Sequence, residues 1–314
     1  MGSGNRPRIP QQLIGQLAVV GATTCFGLSY SVIKWPGTSG SVIAWWRLAV
    51  STVIWWTILA IRRQRRSVPF PSRATWRAVA PAALFFGINI SVLFTAVTRT
   101  SVAHTEFITA LAPVLLIPAG FVLFRERPQW RALRWGALSF IGIVIVLAAG
   151  PSNGVATVGG DLLMIIAVSA YVGYLLSAKR ARSVGVSTVE FMSIMMPVAL
   201  VTATPVALAV SASEFIPSSG TTWASIAILA VLTGMLAHGF VVYAQRTVPI
   251  ATIGVIQSGQ PAQSTFWAWL FLGETISLTQ VPGMILVIAG SALVVWTGQR
   301  RQVGHPRATS GQPT

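Results

Sequence analysis

Long apolar runs separated by short polar joints set the character of this chain. Ten of them run over 12–33, 41–61, 77–97, 102–124, 131–149, 159–178, 188–210, 223–244, 250–272 and 280–297. About 20 apolar residues suffice to cross a hydrocarbon core. A backbone facing lipid must satisfy its own hydrogen bonds, so each run is expected to be a helix. The pattern predicts an all-α integral membrane protein with ten transmembrane helices. The joints are too short to hold a soluble domain. Arg6 and Arg8 ahead of Leu13–Val20 imitate a signal peptide, but no convincing cleavage site follows and the run continues to Ile33. It is read as a retained first span.

Composition agrees with this reading. The chain is 54% hydrophobic and 9% charged, with mean hydropathy +0.71, whereas soluble domains carry about 25% charged residues. The net charge of +16 is not spread over a face that could bind nucleic acid, because the arginines cluster between apolar runs. With a cytoplasmic N-terminus, 19 of the 22 basic residues fall on cytoplasmic segments. Only Lys34 and Arg99 fall outside, and Arg47 lies within a span. The bias predicts that both termini are cytoplasmic. Cys25 stands alone, so no internal disulfide can form.

The chain also repeats itself. Pro113 stands thirteen residues before Glu126, and Pro261 stands thirteen before Glu274, an offset of 148 in both cases. At that offset Ala96 falls on Ala244 and Gly142 on Gly290. Two halves follow, 12–149 and 159–297, flanked by a cytoplasmic tail at 1–11 and a basic cytoplasmic tail at 298–314. Five spans per half is an odd number, so the second half enters the membrane inverted. Glu126 then lies inside and Glu274 outside. Inverted repeats of this kind place substrate sites at their interface near the midplane.

Five stretches carry a resemblance: SVIKW closing the first span, the arginine of AWWRLAV, the TALAPVLL and FRERP block, GGDLLMIIAVSAYVGYLLSAKR, and SGQPAQSTFWAWLFLGE. In their order and duplication the chain resembles the EamA-type transporters of the drug/metabolite transporter superfamily, across nearly all of 12–297. That resemblance implies two tandem five-helix repeats and transport of small molecules. Two departures stand out. Arg125 replaces the glycine usual before the first-half glutamate, and the usual first-span tryptophan is missing.

Pro128 suits the first turn of a helix. Glu126 is therefore expected at the positive end of the fifth span's dipole, and Glu274 at that of the tenth, as structural helix-end residues. Glu190 is read as a helix-end residue too. Polar groups within spans are expensive and default to function. Arg47 and Glu106 both fall in the outer half and are expected to form an ion pair, either structural or gating. Trp45 and Trp46 beside Arg47 are further gate candidates. The ninth span carries Gln257, Ser258, Gln260, Gln263 and Ser264 around Pro261. Gln257, Gln260 and Ser264 share one face at helical spacing. Gln257 and Gln260, with Asn89, Thr109, Tyr174, His238 and Tyr243, are the expected substrate-binding residues. Tyr171 is a further lining candidate, and His238 could serve proton coupling.

No Walker A loop, metal motif or nucleophile elbow is present. Neither enzyme activity, nor a cofactor, nor a bound metal is expected, and any active transport must draw on a proton or other ion gradient. The expected function is export of small amphiphilic metabolites, such as amino acids or their derivatives, across the cell membrane. Its partners would be a small-molecule substrate and the lipid bilayer, with no nucleic acid. Two alternatives stand beside it: proton-coupled efflux of lipophilic cationic drugs, and a membrane scaffold that transports nothing.

Overall fold

The computed structural model describes residues 11–66, 69–112, 115, 130–149, 156–237, 240, 244, 256–257 and 259–303. Within them the chain is helical: α1 (Gln11–Lys34), α2 (Gly40–Arg66), α3 (Arg73–Val97), α4 (Val102–Thr109), α5 (Trp130–Ala149), α6 (Val158–Ser183), α7 (Thr188–Ser211), α8 (Gly220–Val231), α9 (Gln260–Leu272) and α10 (Val281–Val303). Six helices among these residues are long and apolar enough to cross a membrane: Leu13–Lys34, Gly40–Arg65, Arg73–Val97, Val158–Ala178, Thr188–Glu214 and Gly220–Ala237. Arg134–Ala149 and Val281–Gly290 are shorter apolar helices.

Local sequence sets the helix starts. Ser72 accepts a hydrogen bond from Thr75 N at 3.1 Å and caps α3. Ser187 and Glu190 form a reciprocal capping box on α7, each side chain accepting from the other's backbone N–H. Glu190 is thus the helix-end residue the sequence suggested. Polarity is turned outward-in: large apolar side chains such as Leu17, Val53, Ile166, Val201 and Ile285 are exposed, while Asn89, Arg47, His104 and Glu106 are buried. That suits a hydrocarbon surround, in which packing and interhelical hydrogen bonds hold helices together.

One core cluster joins α3 to α2, α7 and the end of α1, around Phe86, Phe94, Met195 and Leu48. A second, around Phe107, Ile143, Met164 and Val287, joins α4, α5, α6 and α10. Trp45 and Trp46, the further gate candidates, tie α2 to α7 and the segment after it: Trp45 Nε1 donates to Thr204 Oγ1 at 3.0 Å and Trp46 Nε1 to Phe215 O at 2.8 Å.

The α5–α10 contact carries the imprint of the repeat. Ser139 Oγ donates to Val287 O at 3.4 Å, and these residues are 148 apart, so two equivalent positions touch each other. Gly142 meets Gly283 backbone to backbone, with room for no Cβ on either: one added at Gly142 would lie 2.6 Å from Gly283 O. Gln280 reaches Val146 O. As the α5 number rises from 139 to 146, the partner falls from Val287 in α10 to Gln280 just before it. The pair is therefore antiparallel, as helices related by inversion must be.

Two expected spans are not continuous where they can be seen. Instead of one helix over 102–124, α4 ends at Thr109 and the chain turns at Ala110 and Leu111, two residues before Pro113. Instead of one helix over 250–272, the chain turns at Gly259 and α9 starts at Gln260, with Pro261 in its first turn. Leu111 and Gly259 are equivalent at the 148 offset. A proline cannot donate to the preceding turn and disfavours helix at the residue before it. The sequence pattern of apolar residues is blind to such a break.

Candidate functional site

The two helix breaks are joined by one carboxylate. Ser101 caps α4 by accepting from His104 N at 3.1 Å, and Glu106 follows one turn later, 2% exposed. From the start of α9, Gln260 Nε2 donates to its two oxygens at 3.0 and 3.4 Å. Ser264 Oγ, one turn on, donates to Oε1. Gln260 and Ser264 thus share the face assigned to them by spacing. Gln257 is half-buried in the helical turn before Gly259.

Helix α1 closes a third side. Thr24 Oγ1 donates to Gln263 Oε1 at 3.2 Å, and a Cβ at Gly27 would lie 2.9 Å from Ser264 Oγ. Only glycine lets α1 approach α9 so closely. Tyr30, three residues on, is buried within electrostatic range of Glu106 and Tyr171, its hydroxyl in reach of the Thr109 side chain. Thr109 Oγ1 donates to Thr105 O at 2.7 Å. Tyr171, Tyr174 and Phe86 continue an aromatic wall, with ring centroids 5.9 Å apart for the two tyrosines and 5.1 Å apart for Phe86 and Tyr174.

The expected Arg47–Glu106 ion pair is corrected. Among the described residues the carboxylate is held by the amide and hydroxyl of α9, while the Arg47 guanidinium lies over the Phe94 ring at 5.6 Å. Arg47 is buried with its Nε lacking a hydrogen-bond partner. Depth along two helices does not fix which faces meet, and α4 turns this face to α9. Asn89 stands apart from the Glu106 group in its bonding: its amide donates to Ala167 O at 2.8 Å and ties α3 to α6. His238, Tyr243 and Glu126 lie outside the described residues.

Glu274 is a helix-end residue, but of another helix than expected. Gly273 takes φ +66 at the end of α9, a conformation glycine adopts without steric cost. The carboxylate of Glu274 accepts from Val102 N at 2.9 Å, the first helical residue of α4. It also pairs with Lys34 at the end of α1. It therefore satisfies an orphan N–H of α4, not of α10.

The same end of the bundle holds a cluster that sequence reasoning missed. Lys34 Nζ donates to Thr100 O at 2.8 Å, and Thr100 Oγ1 donates to Asp161 Oδ1 at 2.5 Å. His104 Nδ1 lies 3.0 Å from Asp161 Oδ2. Scarcity was the available signal: with six acids in the chain, each had reason to be matched to a donor near a span end.

The family model described as "EamA-like transporter family" matches residues 13–148 and 158–296, one copy per half. A solved structure described only as "Crystal structure of protein" superposes with TM-score 0.59 at 17% identity, covering 93% of this chain and 98% of that one. At that identity the likeness speaks for the fold alone.

Proposed function

This chain belongs to the EamA-like transporter family and is by that family a membrane transporter, and from that premise we propose that it exports small amphiphilic metabolites, such as amino acids or their derivatives, by alternating access between its two repeats. In this reading ten spans cross the cell membrane with both termini in the cytoplasm, and a proton or other ion gradient supplies the work.

One observation carries the reading. Glu106 belongs to the first repeat, Gln260 and Ser264 to the second, and their hydrogen bonds are made where both helices break. Broken helices at a repeat interface free backbone groups to receive polar substrate atoms. A buried carboxylate bridging the repeats also gives them a contact that must change when they move. Export by rocking of one repeat on the other would break it once per cycle.

The same buried acid lends support to a second reading, efflux of lipophilic cations. Proteoliposomes holding the full chain separate the two. They are loaded with the standard amino acids, their methyl esters and tetraphenylphosphonium, and release is followed by mass spectrometry. Release of amino acids or esters beyond protein-free vesicles is expected. Release of tetraphenylphosphonium alone favours the second reading, and protein-independent leakage of everything leaves only a scaffold.

A further inference from the structure

Resting on the transporter reading, we propose that Glu106 receives a primary ammonium group of the substrate, for which Gln260 and Ser264 stand in while the repeats are closed. Among the described residues the carboxylate accepts from the Gln260 amide and the Ser264 hydroxyl. Both donors belong to the other repeat, so any separation of α4 from α9 leaves a buried carboxylate without them. A carboxylate in such surroundings is costly unless a cation or new donors replace what was lost. A primary ammonium supplies both, with three N–H groups and a positive charge.

Among the described residues, no basic side chain forms an ion pair with Glu106; Lys34 pairs with Glu274, and Arg47 lies over Phe94. Among these residues the charge of the acid has no cationic partner, and in this reading it is left for a ligand. Tyr30, buried within electrostatic range of Glu106, adds aromatic surface near the carboxylate, which favours a cation with an apolar body. The acid is also confined to one half: the equivalent position at the 148 offset is Gly254, and the position equivalent to Tyr30 is Ala178. The amine end of the substrate is thus read by the first repeat. A quaternary ammonium has charge but no N–H, and cannot replace the amide and hydroxyl donors. This separates primary amines from permanently charged lipophilic cations.

The test uses the purified full chain in nanodiscs and three probes of one skeleton: phenethylamine, phenethyl alcohol and phenethyltrimethylammonium. Intrinsic tryptophan fluorescence follows thermal unfolding as each probe is titrated. Phenethylamine is expected to raise the midpoint saturably, with the other two at least about tenfold weaker, as loss of a charge-assisted hydrogen bond requires. Glu106→Gln keeps one acceptor oxygen toward α9, loses the charge, and should lose the amine's shift. Equal stabilisation by the alcohol or the quaternary amine, an undiminished shift in Glu106→Gln, or no shift by phenethylamine at millimolar concentration overturns the assignment. If Glu106→Gln fails to fold, Ser264→Ala decides: wild-type preference among the three probes must persist there. Counterflow of phenethylamine in proteoliposomes is measured separately. Binding without counterflow keeps the ammonium site and sinks the transporter reading. Counterflow of the alcohol with none of the amine does the reverse.

Discussion

Replacing Glu274 by alanine removes two interactions at once, and their sizes can be worked out separately. The Val102 N–H at the start of α4 loses its acceptor at 2.9 Å, a loss comparable to that of a helix cap, about 0.5–2 kcal/mol. Lys34 loses its counter-charge where the two side chains are 14% and 12% exposed. Breaking a fully buried pair costs about 3–5 kcal/mol. This pair keeps some solvent, and Lys34 retains Thr100 O at 2.8 Å, so about 1–2 kcal/mol is the better scale. Together Glu274→Ala should destabilise by about 1.5–4 kcal/mol, and Glu274→Gln, which keeps an acceptor for Val102 N, by about half as much. Lys34→Met should cost less in the Glu274→Gln background than in the wild type, with a coupling of about 1 kcal/mol. The assay is denaturant unfolding in detergent micelles, followed by tryptophan fluorescence. Additive effects of the Lys34 and Glu274 changes would refute the ion pair, and an alanine variant as stable as wild type would refute the assignment of Glu274 to the α4 terminus.

Other outcomes follow from the same geometry. Gln260→Leu removes the 3.0 Å donor to Glu106 and should abolish export while the protein still reaches the membrane in normal amount, since leucine is well tolerated in lipid; immunoblots of membranes beside a transport assay check both halves. Arg47→Met and Glu106→Gln should add in a double-mutant cycle, because the two side chains do not pair, and a coupling above about 0.5 kcal/mol would restore the pair. Reporter fusions at Arg301 and near Pro151 should report opposite faces of the membrane, the former cytoplasmic, and a matching signal from both would overturn the inverted topology.

How much the sequence disclosed depended on the range of the interaction. The two repeats and six of the expected spans were legible because each rests on many residues: apolar length marks a span, and the 148 offset recurs at Pro113, Glu126, Ala96 and Gly142. The shared face of Gln260 and Ser264 was legible because it needs only helical periodicity. Pairings between helices were not. Depth alone matched Arg47 with Glu106, yet which face a helix presents depends on packing such as the Gly27–Ser264 approach. The chain reversal at Gly273, which carries Glu274 to α4 instead of α10, is likewise set by one residue's φ. The breaks at Leu111 and Gly259 were invisible to hydropathy because apolar character continues through them.

Alternating access requires the two repeats to part during transport, and one cross-link tests this without touching the Glu106 group. Thr38 and Thr222 belong to different repeats, and their hydroxyl oxygens lie 2.7 Å apart. Sulfur atoms at those positions come within bridging reach of one another. In a Cys25→Ser background, Thr38→Cys with Thr222→Cys should form a disulfide that stops release of the exported compound from proteoliposomes, and reduction should restore it. Wild-type transport by the fully oxidised protein would contradict alternating access between the repeats.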